Sequence, residues 1–193
     1  MRRAMIVAAV TGGLWLAPAS LTAQENGIAR PSHEFGVDLS GMYTNMGSPC
    51  AENCGALTIA TPVDLRIGFL MEGPWSVEPR LGLLYQASTS GEGHVLQFTP
   101  GINVLYAFGA RSGPNGVIGP YLTAGAALEV ADLGDFGGSA TQVAVNLGLG
   151  QRMAWGSAAF RPEAFVRYRF RNAYDGVPSY FDLGVRIGVS LFR

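Results

Sequence analysis

Thirteen arginines and no lysine supply the positive side-chain charge of this 193-residue chain, against 14 Asp and Glu. Arg66, Arg80, Arg152, Arg161, Arg167, Arg169 and Arg186 fall in segments of alternating character, as do Asp38, Asp64, Glu78, Glu129, Glu163 and Asp182. A guanidinium is a rigid fork of donors that matches a carboxylate, so this set suits crowded ion pairing better than proton transfer. His33 and His94 are the only histidines and leave little material for histidine-based catalysis. Cys50 and Cys54, in CAENC, read as a small loop-closing disulfide in an exported chain. A metal there would need more ligands than the nearby Glu52. Asp132 and Asp135, in ADLGDFGGS, lack the closing bidentate Glu of a calcium loop and read as a solvated turn. No residue is assigned to catalysis, a cofactor or a metal.

What positions the charges is a period of two. From Phe160 onward one file runs Phe160, Pro162, Ala164, Val166, Tyr168, Phe170, and the other Arg161, Glu163, Phe165, Arg167, Arg169, Arg171. That alternation is a strand with two different faces. Eight such segments follow one another at 35–44, 61–69, 77–86, 96–108, 121–130, 142–152, 160–171 and 181–191. The intervening stretches, 45–60, 72–75, 88–93, 109–119, 131–140, 155–159 and 172–179, are rich in Gly, Pro, Asn and Asp, as turn chemistry requires. The fold expected is all-β, an eight-stranded antiparallel up-and-down barrel.

Two observations say which face is outside. Every strand charge lies in one register, together with Gly68, Gly82, Gly101, Gly125, Gly148, Gly150, Gly184 and Gly188. Glycine is expected where side chains from opposite walls converge, and enclosed charges must be paired. The other register carries no charge, as lipid demands, since one Arg near mid-membrane costs roughly 2–4 kcal/mol. Tyr43, Trp75, Tyr85, Phe108, Trp155, Phe160 and Phe170 fall near segment ends, where an interfacial girdle would sit. Only 14% of residues are charged, against about 25% in soluble proteins. A transmembrane barrel follows, with a soluble barrel of apolar interior as the alternative.

Residues 1–23 read as a signal peptide: Arg2 and Arg3, an apolar run, then small residues before Ala23, with Ala19 as a second cleavage position. Residues 24–32 would form a short periplasmic segment and 33–193 the barrel. Without the leader, 11 positive and 14 negative charges leave a net charge near −3, which disfavours nucleic acid as partner.

Gly119-Pro120-Tyr121 leading into Ala124-Gly125-Ala126, the RPEAFVRYRF segment and the alternating terminal strand resemble the small eight-stranded outer-membrane β-barrel family, over residues 33–193. The resemblance implies a bacterial outer-membrane location, membrane lipid as a partner, a monomer, and a structural or surface-interaction role through loops whose extracellular partner is unidentified. The end departs from the family's usual aromatic terminus, because Phe192 is in the charged register and Arg193 follows it. Lipid A deacylases of this fold use a close His and Ser, and no His-x-Ser occurs here. The palmitoyltransferases admit acyl chains where proline interrupts strand pairing, and Pro79, Pro100, Pro120 and Pro162 lie in the uncharged register. A narrow or gated channel for small solutes is the main rival function. A lipid A-modifying enzyme and a soluble lipocalin-like binder rank lower.

Overall fold

The computed structural model describes residues 32–46, 55–58, 63–71, 73–87, 94–109, 111–113, 116–132 and 138–193. Among them are ten strands and no helix: β1 (His33–Met46), β2 (Gly55–Thr58), β3 (Val63–Leu70), β4 (Trp75–Ala87), β5 (His94–Ala107), β6 (Arg111–Gly113), β7 (Gly116–Asp132), β8 (Ser139–Trp155), β9 (Ala158–Arg169) and β10 (Tyr180–Phe192). Two of these are flaps. β2 pairs with Met42–Asn45 of β1, and β6 pairs with the first residues of β7. The other eight run in the order β1-β3-β4-β5-β7-β8-β9-β10, each antiparallel to its neighbours. β10 returns to β1 from Glu34↔Phe192 to Met46↔Tyr180, which closes an eight-stranded barrel without a free edge.

Alternation marks the strands, but their ends depend on partners. The stretch 109–119, expected as a long connection, folds as β6 against the start of β7, so 116–119 are strand. Its Gly and Pro read locally as turn chemistry, yet Gly119 and Pro120 are paired with Arg152 and Gln151 of β8. The expected loop 45–60 likewise contains β2. The connection at 155–159 shrinks to Gly156 and Ser157 between β8 and β9. Gly156 has φ +60°, the left-handed conformation that a two-residue hairpin asks of its first residue. The leader, Cys50 and Cys54, and Asp135 lie outside the described residues.

The barrel is inverted relative to a water-soluble protein. Leu147 is 61% exposed and Val185 59%, whereas Glu34, Glu78 and Asp182 are 0% and Arg161 2%. On β10 the pattern alternates without a break from Phe181 to Ser190, uncharged side chains out and Asp182 or Arg186 in. A soluble barrel with an apolar interior needs the opposite orientation, so the lipocalin-like alternative fails on this geometry. Trp75, Tyr85, Trp155 and Phe170 are exposed on strands or just beyond their ends, as expected; Phe108 and Phe160 are half-buried.

Candidate functional site: the ion-paired lumen

Where the sequence placed charges, the closed barrel brings them into two clusters along the lumen. The larger lies toward the end that carries the tight turns. Glu34 of β1 is its centre, accepting from Arg152 Nη2 at 2.6 Å, Arg161 Nη1 at 3.0 Å and Ser190 Oγ at 2.6 Å, and from Arg66 Nη1. Glu78 accepts from Arg161 Nη1 at 2.8 Å and Arg152 Nη2 at 3.2 Å. Asp38 accepts from Arg66 Nε at 3.0 Å and also from Arg80, which reaches Asp64 at 3.2 Å. Arg186 donates to Glu163, whose second oxygen accepts from the Tyr121 hydroxyl at 3.0 Å. Tyr121 ties the cluster together: its hydroxyl accepts from Arg161 Nε at 3.0 Å, and the Arg161 guanidinium stands 4.6 Å from its ring centroid.

The smaller cluster lies toward the other end. Arg169 grips Asp182 with two bonds, of 2.7 and 2.9 Å, and Thr44 donates to the same carboxylate at 2.7 Å. Arg167 donates to Glu129 at 2.9 Å, and Gln97 reaches that carboxylate's other oxygen at 3.2 Å. Between the clusters, Phe165 is buried with the Arg186 guanidinium 4.6 Å and the Arg167 guanidinium 5.5 Å from its ring centroid. Thus all thirteen expected lumenal residues face inward and are paired. Buried charge is tolerable only on such terms, since an ion left without partners in a low-dielectric interior costs several kcal/mol.

Sequence reasoning misses Glu34, because the first alternating segment is legible only from Phe35 onward. The signal was there: two steps back from Asp38 in the inward register lie Gly36 and then Glu34. Its inclusion balances seven carboxylates against seven arginines. A seal was also missed, for Leu105, Ala107, Val117 and Tyr121 form a buried apolar group with Leu70 packed on it. Nothing in the alternation distinguishes an inward Leu that meets others from one that stands alone.

Glycine makes the room. A Cβ on Gly188 would stand 1.7 Å from Asp38 Oδ1 and 3.2 Å from the Val37 carbonyl oxygen. Gly188→Ala should therefore push Asp38 off Arg66 and Arg80 and destabilise the barrel by about 1–3 kcal/mol. Urea unfolding in lipid vesicles measures it, with Gly41→Ala as control, since Gly41 has no atom within 4 Å of the added carbon. An unchanged midpoint for Gly188→Ala would mean that the lumen is looser than this.

Strand pairing lapses beside three of the four outward prolines. The gaps fall between Arg66↔Arg80 and Phe69↔Val77 at Pro79, between Phe98↔Val130 and Gly101↔Ala127 at Pro100, and between Gly150↔Glu163 and Met153↔Phe160 at Pro162. Each proline lacks the N–H that a ladder bond needs. Pro120 sits in continuous pairing with β8 and accepts from the Phe108 N–H at 3.1 Å.

No family model matches the sequence, and no curated protein matches it significantly. Solved structures do match in shape. Neisserial surface protein A superposes with a TM-score of 0.60 at 13% identity, over 85% of this chain and 99% of that one. The outer membrane protein AlkL in lipid bilayers gives 0.52 at 13% identity, over 92% of this chain and 97% of that one. Identities this low speak for the fold alone. Closed antiparallel pairing, an uncharged outer wall and these superpositions agree: the chain has the fold of the small eight-stranded outer-membrane β-barrels.

Proposed function

We propose that the chain is an integral protein of the bacterial outer membrane, a non-conducting barrel with a structural or surface-interaction role. The observation that carries this reading is the lumen. Fourteen paired charges and the apolar seal of Leu70, Leu105, Ala107 and Val117 occupy it, and an eight-stranded barrel is only wide enough for its side chains. Residues 1–23 serve as an export signal, and Cys50 and Cys54 close a small loop in the oxidising compartment. The end with the tight turns, at Gly73 and Gly156, faces the periplasm. The loop end faces outward, where a partner would be met. No catalysis is assigned.

Planar-bilayer recording on the purified, refolded full chain tests this. A silent bilayer at hundreds of millivolts is expected. Reproducible single-channel steps would replace the plugged scaffold with the rival reading, a narrow channel for small solutes, for which the partly exposed Arg167 and Arg169 would form the entrance.

A further inference from the structure

We propose that the outer wall carries a seat for one glycerophospholipid of the periplasmic leaflet, its acyl chain in a groove over Val37 and Pro79 and its phosphate against Arg193 and His33. The leaflet assignment rests on the orientation proposed above. The seat rests on geometry. A groove of about 600 Å³ crosses β10, β1, β3 and β4; its lining is of the uncharged register apart from Gly36, Arg66 and Arg80, and both arginines pair with Asp38 in the lumen. Short side chains, Val37 and Pro79, are flanked by the longer Phe35, Leu65, Leu81 and Leu191. It adjoins the pairing gap that Pro79 opens between β3 and β4, where Ile67–Gly68 and Glu78–Pro79 are unpaired. In the lipid band neither water nor a polar solute can fill such a dent, whereas one hydrocarbon chain can.

What commits the groove to a phospholipid is the charge directly beside it. His33 and Arg193 are an opposed pair that continues the β1–β10 ladder, with N–H to carbonyl bonds of 3.0 and 2.9 Å in the two directions. They are one step beyond Phe35 and Leu191 in the same outward files, so a chain in the groove places its headgroup at their level. The Arg193 main-chain oxygen is taken by the amides of Ser32 and His33. Arg193 is exposed, and no carboxylate side chain among the described residues pairs with it. The His33 ring is edge-on to Phe69 at 5.5 Å, and its Nδ1 is engaged by Ser32 Oγ at 2.6 Å. A cation ending an otherwise uncharged outward file is poorly placed for lipid tails and well placed for a phosphate.

Native mass spectrometry of the refolded full chain, released from vesicles of phosphatidylglycerol, diacylglycerol and lipid A in equal amounts, reads the site. One retained phosphatidylglycerol is expected, its occupancy lowered about tenfold by Arg193→Gln, the scale of one charge-assisted hydrogen bond. Val37→Trp should abolish retention by filling the groove, whereas Leu183→Trp on the same wall should not. Heat-modifiable gel mobility verifies that each variant folds. Equal retention by wild type, Arg193→Gln and Val37→Trp would reduce the seat to ordinary annular lipid and overturn it. Retention of diacylglycerol as strong as phosphatidylglycerol would overturn the phosphate contact, and a dimer with no lipid would replace the lipid by a second copy. Preferential retention of lipid A would overturn the orientation, while a conductance result leaves the seat untouched.

Discussion

Glu34→Gln should destabilise the barrel by about 3–5 kcal/mol, the largest effect expected of any single lumenal change. The carboxylate accepts from three guanidinium groups and Ser190 while fully buried. An amide of the same shape presents a donor where donors already converge, and it leaves three arginines to Glu78 and Asp38. Unfolding by urea in vesicles, followed by tryptophan fluorescence, measures the loss. The decisive comparison is the double variant with Arg152→Gln, which restores neutrality and should cost less than the two single changes added together. If the single change cost under 1 kcal/mol, or if the two effects simply added, the lumen would be hydrated and its pairs individually weak.

Leu147→Arg should cost about 2–4 kcal/mol relative to Leu147→Ala when the protein is folded in lipid. Leu147 stands at the middle of β8 and is 61% exposed on the uncharged wall. An arginine there has no neighbour of opposite charge and must snorkel along the wall to reach water. A substitution at the 97%-exposed Tyr174, in the turn after β9, should be neutral. On a water-facing wall both changes would be near zero, so equal midpoints for Leu147→Arg and Leu147→Ala would remove the membrane from the account.

The two variants probe opposite faces of one pattern, and they separate what a one-dimensional reading can reach from what it cannot. The charged register and the uncharged register were both legible, because side chains alternate along a strand whatever its partners. Glu34 escaped because it sits at the first strand's beginning, where one more step of alternation carries little weight against ordinary loop chemistry. β6 and the start of β7 escaped because Gly116, Gly119 and Pro120 are turn residues in isolation and strand residues only once β6 has paired with the first and β8 with the other two.

Alternation and the allocation of charge determined from the sequence alone that this is an all-β barrel with its charged file inside. Those are properties of residue type and period, and they survive any choice of register. Which carboxylate meets which arginine was decided only by the closed tertiary structure. Contacts such as Arg152 with Glu34, 118 residues apart, depend on the stagger accumulated across the barrel and on β10 closing onto β1. The outward cation at this end of the wall has the same origin. Arg193 is only a terminal residue in the sequence, and barrel closure sets it beside His33 beneath an apolar groove.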